Sequence, residues 1–181
     1  TTRRRVVVVG GGPGGMKAAA VAAQRGHHVT LLEAGRRLGG QVLLAQDLPG
    51  REEFGGAATN LITEISRAGV DVRLGEKATP EAIRRLAPDA VVLATGARPR
   101  VPALELADDP AVVTAWDVLR GAALPSGRVV VADWRCDWIG LGTAALLARR
   151  GHRVTLAVTG YHAGQRIQQY VRDDMIAEAS R

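Results

Sequence analysis

A glycine-rich turn near the start of the chain constrains the fold more than any other feature of this sequence. It follows Val6 to Val9, a short β-branched run typical of a parallel strand that is buried on both faces. Pro13 to Arg25 has helical composition, with proline at its start, and Gly26 is placed to end the helix. Val29 to Glu33 is a second apolar run. We therefore expect the chain to open with a β-α-β unit.

The turn itself reads Gly10-x-Gly12-x-x-Gly15. Between a strand and a helix, the first glycine permits a tight turn, the second lets a diphosphate approach the main chain, and the third lets the helix pack closely on the strand. The helix N-terminus adds free N–H groups and a partial positive charge. Glu33 is placed to accept hydrogen bonds from a ribose diol and to repel a 2′-phosphate. A purely connecting turn is the alternative, but the agreement of these features favours a dinucleotide or ADP-like ligand.

The next part of the chain continues the alternation of helices and strands. Arg51 to Arg67 predicts a helix, Val70 to Leu74 a strand, Glu81 to Leu86 a short helix, and Ala90 to Ala94 another buried strand. The segment from Ala97 to Pro110 is proline-rich and has no clear periodicity, so we interpret it as a crossing linker. This pattern predicts an α/β protein with a parallel sheet.

An internal repeat shows that the pattern then restarts. Arg25 to Leu32 reappears as Arg150 to Ala157, at a constant offset of 125 residues. The preceding strand, Val129 to Val131, matches Val6 to Val8 at an offset of 123, so the second turn is two residues longer than the first. The sequence therefore predicts two β-α-β units. A last amphipathic helix is expected to place these side chains on one face: Ile167, Tyr170, Val171, Met175 and Ile176.

The second turn lacks the features that make the first one a ligand site. Depending on the offset, the first two glycines are replaced by Asp133 and Arg135 or by Arg135 and Asp137, and only the third remains, as Gly140. Side chains at these positions obstruct a diphosphate, and acidic ones repel it. Val158 stands where the first unit has its ribose-binding acid. Both losses argue against nicotinamide binding here. The alternative that Asp133 and Asp137 bind a ligand in an unusual way is left open.

Further motifs carry a resemblance to a known family. Leu38 to Gln41 and Ala94 to Pro99 resemble the FAD-binding domain of the two-dinucleotide flavoprotein reductases. More narrowly, Gly39 to Ala45, Leu48 to Phe54 and Ala94 to Gly96 resemble the C-terminal half of the 2,4-dienoyl-CoA reductase and trimethylamine dehydrogenase group of old-yellow-enzyme relatives. The likeness covers nearly the whole chain.

The resemblance implies a Rossmann-like two-dinucleotide-binding flavoprotein fold. It divides the chain into an FAD (ADP-type) domain over residues 1–104, a linker over 105–127, and the first half of a degenerate NAD(P)-type domain over 128–181. In this family the returning chain that completes the first domain, and an N-terminal barrel with FMN and an iron–sulfur cluster, belong to the same enzyme. We therefore expect a fragment of a larger oxidoreductase, with its remaining domains as partners. A homo-oligomer is also possible as a partner arrangement.

The cofactor-binding positions that we predict combine the turn with the family motifs. They are Gly10, Gly12, Pro13, Gly14, Gly15, Glu33, Ala34, Gly39, Gly40, Gln41, Arg51, Ala94, Thr95 and Gly96. Gly40 and Gln41 would lie near the flavin side, whereas Arg51 either reaches the phosphates or caps a solvated helix. No catalytic residue and no metal ligands are predicted.

The cofactor expected in the first turn is FAD, which would pass electrons between flavin centres. A structural ADP is the alternative, and an ordinary NAD-binding reductase domain is a third reading. On the trimethylamine dehydrogenase side of the family, the domain equivalent to the second unit persists as scaffold.

Composition excludes several other classes of protein. The net charge is +6, but the 24 basic residues are spread along the chain, and nucleic-acid platforms need clustered basic residues with stacking aromatics. The longest apolar stretch, Val6 to Ala23, is interrupted by glycines and Lys17, so it lacks the roughly 20 unbroken apolar residues of a membrane helix. Arg3 to Arg5 imitate an export signal, but no small-residue cleavage site follows. We expect no nucleic-acid or membrane partner.

The single cysteine fits a reducing, cytoplasmic location. Cys136 alone permits no internal disulfide and no iron–sulfur cluster held by this chain. We interpret it as a half-buried thiol in a turn rather than a redox group.

Overall fold

The computed structural model describes residues 2–100, 102–103 and 111–179. Residues 101 and 104–110 lie outside the described residues, and so do the predicted boundary at residue 104 and the start of the predicted linker. The chain divides into two compact units. Unit 1 comprises Thr1–Gln46 and Glu52–Arg98, and unit 2 comprises Asp47–Arg51 and Pro99–Arg181.

Unit 1 is a four-stranded parallel sheet with helices on its faces. Its elements are β1 (Arg5–Val9), α1 (Pro13–Gln24), β2 (His28–Glu33), α2 (Val42–Ala45), α3 (Phe54–Arg67), β3 (Asp71–Leu74), α4 (Pro80–Arg85) and β4 (Ala90–Leu93). The strand order is β3-β2-β1-β4, and all pairs are parallel. The α/β class and the parallel sheet expected from the sequence are confirmed.

The valines of β1 are buried on both faces of the sheet, as the continuous apolar run predicts. Val6 and Val8 pack with Met16 of α1 and Ile65 of α3. The alternate residues Val7 and Val9 pack on the opposite face, against the segment around α4. β1 lies between β2 and β4, so its carboxyl end is flanked by two other strands. Folds of this kind bind ligands at the carboxyl ends of their strands.

The expectation that β4 is a buried strand is wrong. Val91 is 42% exposed and Leu93 is 75% exposed. The reason is positional, because β4 is the outermost strand on its side of the described sheet. An apolar run predicts a strand, but it does not specify whether the strand is central or at an edge.

Unit 2 contains the predicted second β-α-β unit. Its elements are α5 (Ala115–Leu119), β5 (Arg128–Asp133), α6 (Trp138–Arg149), β6 (Arg153–Val158) and α7 (Gln169–Ala179). β5 and β6 pair in parallel with Arg128 opposite Arg153, as Arg5 lies opposite His28 in unit 1. The strand registers therefore repeat with the two offsets that the sequence shows. α5 lies within the predicted linker, whose limits stay a prediction.

α7 forms, but its apolar face is not the one expected. Met175 is buried and packs with Ile167, Leu141 and the half-buried Ile176. Tyr170, in contrast, is 78% exposed. The helix begins at Gln169, so Ile167 precedes it and helical spacing counted from Ile167 misplaces Tyr170. No helix in the described part of the chain has the length and apolar character needed to cross a membrane.

Candidate dinucleotide-binding site

Two loops of unit 1 meet at the carboxyl ends of β1 and β4. Gly10 follows β1, and the N–H of Ala94, directly after β4, donates to the carbonyl of Val9 at 2.8 Å. β2 lies on the other side of β1, so the chain changes direction across the sheet at this point. Open α/β sheets bind ligands at such a switch point.

Two glycines of the turn are required by packing. Gly10 has a φ of +108°, and a Cβ there would overlap the carbonyl of Ala94. A Cβ on Gly15 would overlap the carbonyl of Gly10. These contacts bring α1 close to β1 and β4, which is the role that the spacing predicts for the first and third glycines.

Gly12 is required by neither the backbone nor protein packing. It is the N-cap of α1 with φ −75° and ψ 177°, an extended conformation that any residue adopts. A Cβ built on it meets nothing within 4 Å, and the same holds for Gly14. The turn therefore leaves open space in front of the helix, in the place where a diphosphate would lie.

The first turn of α1 offers N–H donors to that space. The first intrahelical bond runs from the N–H of Met16 to the carbonyl of Gly12 at 2.9 Å. Helix geometry therefore gives the N–H groups of Gly14 and Gly15 no intrahelical acceptor. Pro13 at the first helical position has no N–H and fixes φ for the helix start. This arrangement fits an anionic ligand.

The carboxylate of Glu33 lies beside the same turn. Its Oε2 accepts from the N–H of Gly11 and its Oε1 from the N–H of Gly35, each at 2.6 Å. Each carboxylate oxygen can accept more than one hydrogen bond, so acceptor capacity remains for a ribose diol. Gly11 and Gly35 were not predicted as site residues. The sequence contained a signal for Gly11: it occupies a variable position of the motif, where a further glycine indicates a crowded main chain.

The family motif at Gly39 and Gly40 contacts the turn directly. The N–H of Gly39 donates to the carbonyl of Gly11 at 2.9 Å. A Cβ on Gly40 would lie 3.0 Å from the Cα of Gly12, and Gly40 itself has a φ of +55°. A side chain at Gly40 is therefore disfavoured by both backbone conformation and crowding.

Gln41 connects this loop to the segment that follows β4. Its Nε2 donates to the carbonyl of Ala97 at 3.3 Å, and a Cβ on Gly96 would lie 3.0 Å from that nitrogen. Motifs that lie about 55 residues apart in the sequence are thus brought together at one edge of the sheet. Ala34 and Thr95 are exposed at the ends of β2 and β4, beside these loops.

Arg51 lies in unit 2, although the segment Asp47–Arg51 connects α2 to α3. Its guanidinium carbon is 3.3 Å from the ring centroid of Trp138. In the same segment, Leu48 is buried, and a Cβ on Gly142 would lie 3.2 Å from it. The structure thus gives Arg51 a stacking partner, and its predicted role as a phosphate ligand stays a prediction.

Neither of the two residue pairs offered by the sequence offsets for the second turn is correct, because Arg135 replaces neither glycine. Asp133 is the last residue of β5 and pairs with Val158. By the strand register, Asp133 is the counterpart of Gly10 in unit 1. Asp137 is the N-cap of α6, as Gly12 is the N-cap of α1. The two-residue insertion therefore falls between two aspartates that occupy the positions of the first two glycines. Cys136, in the insertion, is only 5% exposed, so it is more deeply buried than expected.

Within the described ranges, no group of three or more His, Cys, Asp or Glu side chains is placed to hold a metal ion. The second turn contains an ion pair between Arg135 and Asp137. Arg135 Nε lies 2.6 Å from Asp137 Oδ2, and this hydrogen bond, with the charge of Asp137, raises the pKa of Arg135 above its usual range.

A parallel α/β sheet with a glycine turn at its switch point is the architecture of dinucleotide-binding domains. The chain belongs to the pyridine nucleotide-disulphide oxidoreductase family, whose model matches residues 4–179.

Individual relatives agree with this assignment. The chain is 43% identical over 147 residues to an N,N-dimethylglycine/sarcosine dehydrogenase of Chromohalobacter salexigens, covering 78% of this chain and 21% of the relative. It is 43% identical over 135 residues to an NADH oxidase of Thermoanaerobacter brockii, covering 74% of this chain and 21% of the relative. A solved 2-naphthoyl-CoA reductase superposes with a TM-score of 0.89 at 30% identity, covering 99% of this chain and 27% of that one. The resemblance stated from the sequence motifs is confirmed, and the chain spans about a fifth of the length of these curated relatives.

Proposed function

We propose that unit 1 binds FAD as part of a larger flavin-dependent oxidoreductase. The observation that carries the proposal is the open space at Gly12, because a glycine that neither backbone nor packing requires is explained by a ligand that needs the room. The N–H groups of Gly14 and Gly15 would hold the diphosphate. FAD, when bound, would supply the electron transfer.

Glu33 would hold the adenosine ribose. Its two oxygens are each fixed by one backbone N–H, so the carboxylate is oriented before the ligand arrives. A fixed negative charge at this place favours a free 2′-hydroxyl and disfavours a 2′-phosphate. Ala34, which follows directly, would lie beside the adenosine.

The loop of Gly39, Gly40 and Gln41 would face the flavin side of the cofactor. Its glycines let main chain pass close to the turn, and Gln41 is held by the carbonyl of Ala97. Ala94, Thr95 and Gly96 would let the end of β4 pass close to the diphosphate. The residues of this chain would bind and orient the cofactor, and we assign none of them as acid, base or nucleophile.

The remaining domains of the enzyme are proposed as partners. The chain covers 21% of the dimethylglycine/sarcosine dehydrogenase. By the resemblance, an N-terminal barrel with FMN and an iron–sulfur cluster would carry the substrate chemistry. A cytoplasmic location belongs to the same proposal, since the single cysteine suits a reducing compartment.

A structural ADP is the second candidate for the same site, and the loss of both leading glycines in the second turn favours it. A test begins with purified chain, whose absorption spectrum is recorded before the released small molecule is identified by mass. Flavin absorption with the mass of FAD supports the proposal. A colourless protein that releases ADP supports the second candidate, and a released nicotinamide nucleotide supports a plain NAD-binding domain. If the chain purifies empty, titration with FAD, ADP and NADH decides by relative affinity.

A further inference from the structure

The second turn differs from the first in how its own N–H groups are used. Oδ1 of Asp133 accepts from the N–H groups of Arg135 and Cys136, each at 2.9 Å. Oδ1 of Asp137 accepts from the N–H of Ile139 at 3.0 Å. These N–H groups belong to the inserted residues and to the second residue of α6, and Ile139 is the counterpart of Gly14 at the start of α1.

Asp133 is built into the core of unit 2. It is only 6% exposed, and its Oδ2 is buried with no hydrogen-bond partner in the described structure. A Cβ on Gly140 would overlap this carboxylate. The third glycine of the motif is therefore still needed here, but it makes room for a side chain of the turn itself.

The main chain of the turn also accepts hydrogen bonds from the segment after β6. The N–H of Arg166 donates to the carbonyl of Cys136 at 3.0 Å, and Oγ1 of Thr159 donates to the carbonyl of Trp134 at 3.3 Å. Cys136 has a φ of +52°, a left-handed conformation that non-glycine residues rarely adopt. These bonds hold the inserted residues against the segment after β6.

We propose that this turn is self-ligated: the carboxylates of Asp133 and Asp137 occupy the place of a dinucleotide diphosphate and bind N–H donors of the turn, including that of Ile139, so the turn binds no pyridine nucleotide. Two mechanisms act together. The N–H donors of Arg135, Cys136 and Ile139 are already used, and the carboxylate of Asp133 repels an incoming diphosphate, whereas that of Asp137 is paired with Arg135. Reducing equivalents therefore do not enter this protein from NADH or NADPH at unit 2. The inference concerns unit 2 alone and does not depend on the ligand of unit 1.

A residue-resolved titration tests the proposal. Backbone amide NMR signals of the full chain are followed while NADH, NADPH or inorganic pyrophosphate is added. We expect the signals of Arg135, Cys136 and Ile139 to stay in place up to millimolar ligand. Saturable shifts of these three signals would overturn the proposal. Shifts confined to residues 10–15 report on the first turn, so failure of the FAD proposal is seen separately.

Variants test whether the carboxylates are the groups that occupy the donors. In Asp137→Ala, we expect amide hydrogen exchange at Ile139 to accelerate at least tenfold, and in Asp133→Ala the same at Arg135 and Cys136. Asp137→Asn is the matched control, because its side-chain oxygen still accepts and Ile139 should remain protected. Unchanged amide exchange at Ile139 in Asp137→Ala would refute the proposal that the Asp137 carboxylate occupies this donor. If Asp133→Ala does not fold, the comparison of Asp137→Ala with Asp137→Asn is sufficient to decide.

Discussion

Oε2 of Glu33 accepts the N–H of Gly11 at 2.6 Å, so the acid at the end of β2 is held by the turn at the end of β1. The two parts of the motif are therefore one structural unit before any ligand is present. A Cβ on Gly11 would lie 2.9 Å from that same oxygen and 2.5 Å from Leu38. The orientation of the Glu33 carboxylate therefore depends on glycine at position 11.

Glu33→Gln should weaken both the fold and the preference for an unphosphorylated ribose. One of the two N–H donors will then face the amide NH2 group, which leaves it unsatisfied and costs about 1–2 kcal/mol in the free energy of unfolding. Affinity for ADP should fall about tenfold, and affinity for 2′-phospho-ADP should fall less. Calorimetric titration with both ligands measures the ratio, with Glu53→Gln as a control of equal charge outside the site. An unchanged ratio would show that Glu33 does not face the ribose.

Gly15→Ala should destabilise unit 1 through packing. The new methyl group overlaps the carbonyl of Gly10, so helix α1 must move away from the sheet at a cost of about 2–3 kcal/mol. Urea unfolding measures this loss. The control is Gly56→Ala on α3, where a Cβ meets nothing within 4 Å and helix propensity predicts a gain of about 0.5–1 kcal/mol. Equal effects of the two substitutions would contradict the close approach of α1.

Arg51→Lys distinguishes stacking from phosphate binding. Lysine keeps the charge but not the planar group that lies over Trp138, so we expect the free energy of unfolding to fall by about 0.5–1 kcal/mol. If stacking is the role of Arg51, FAD affinity changes less than about threefold. Tryptophan fluorescence during unfolding and flavin titration measure the two effects. A large loss of FAD affinity without loss of stability would assign Arg51 to the phosphates instead.

The start of α5 should show a defined dependence on pH. The hydroxyl of Thr114 donates to Asp117 Oδ2 at 2.6 Å, and this bond, followed by the one from the Thr114 N–H, lowers the pKa of Asp117. A lowered pKa stabilises the fold above the pKa of the unfolded chain, and that stabilisation is lost as the pH falls through the folded pKa. Thr114→Val should therefore raise the pKa of Asp117 toward its ordinary value. NMR titration of the Asp117 carboxyl measures this pKa. An unchanged midpoint would contradict the hydrogen bond from the Thr114 hydroxyl to Asp117.

Much of the fold could be predicted because its signals are local. The β-branched run of β1, the glycine spacing and the repeated segment fixed two β-α-β units, and the strand registers agree with the offsets. The exposure of Leu93 could not be predicted in this way, because it depends on which strand is outermost. Tyr170 was misplaced because helical periodicity is informative only after the helix start is known.

The site was predicted as separate motifs, and its assembly needed three-dimensional information. Sequence spacing predicts roles for Gly12 and Glu33, but it does not show that Gly40 lies against Gly12 or that Gln41 reaches Ala97. The second turn is the clearest case. Two alignment offsets were equally acceptable in the sequence, and neither gave the right pair, because the insertion lies between Asp133 at the end of β5 and Asp137 before α6.

Gly12→Asp distinguishes a ligand-binding turn from a merely connecting one, because it should act on stability and binding in opposite directions. Aspartate is a preferred N-cap residue, so the ligand-free chain should keep its stability or gain up to about 1 kcal/mol. Its carboxylate would fill the space at the helix start, as Asp137 does in unit 2. Gly56→Asp adds the same charge on α3, away from the turn.

The measurement is an equilibrium titration of the full chain with FAD, followed by flavin fluorescence anisotropy, beside urea unfolding of the same samples. We predict saturable binding to the wild-type chain and to Gly56→Asp, and a loss of at least about 100-fold in Gly12→Asp, equivalent to about 2.7 kcal/mol. Equal FAD affinity of Gly12→Asp and the wild type, with both chains folded, would contradict the account.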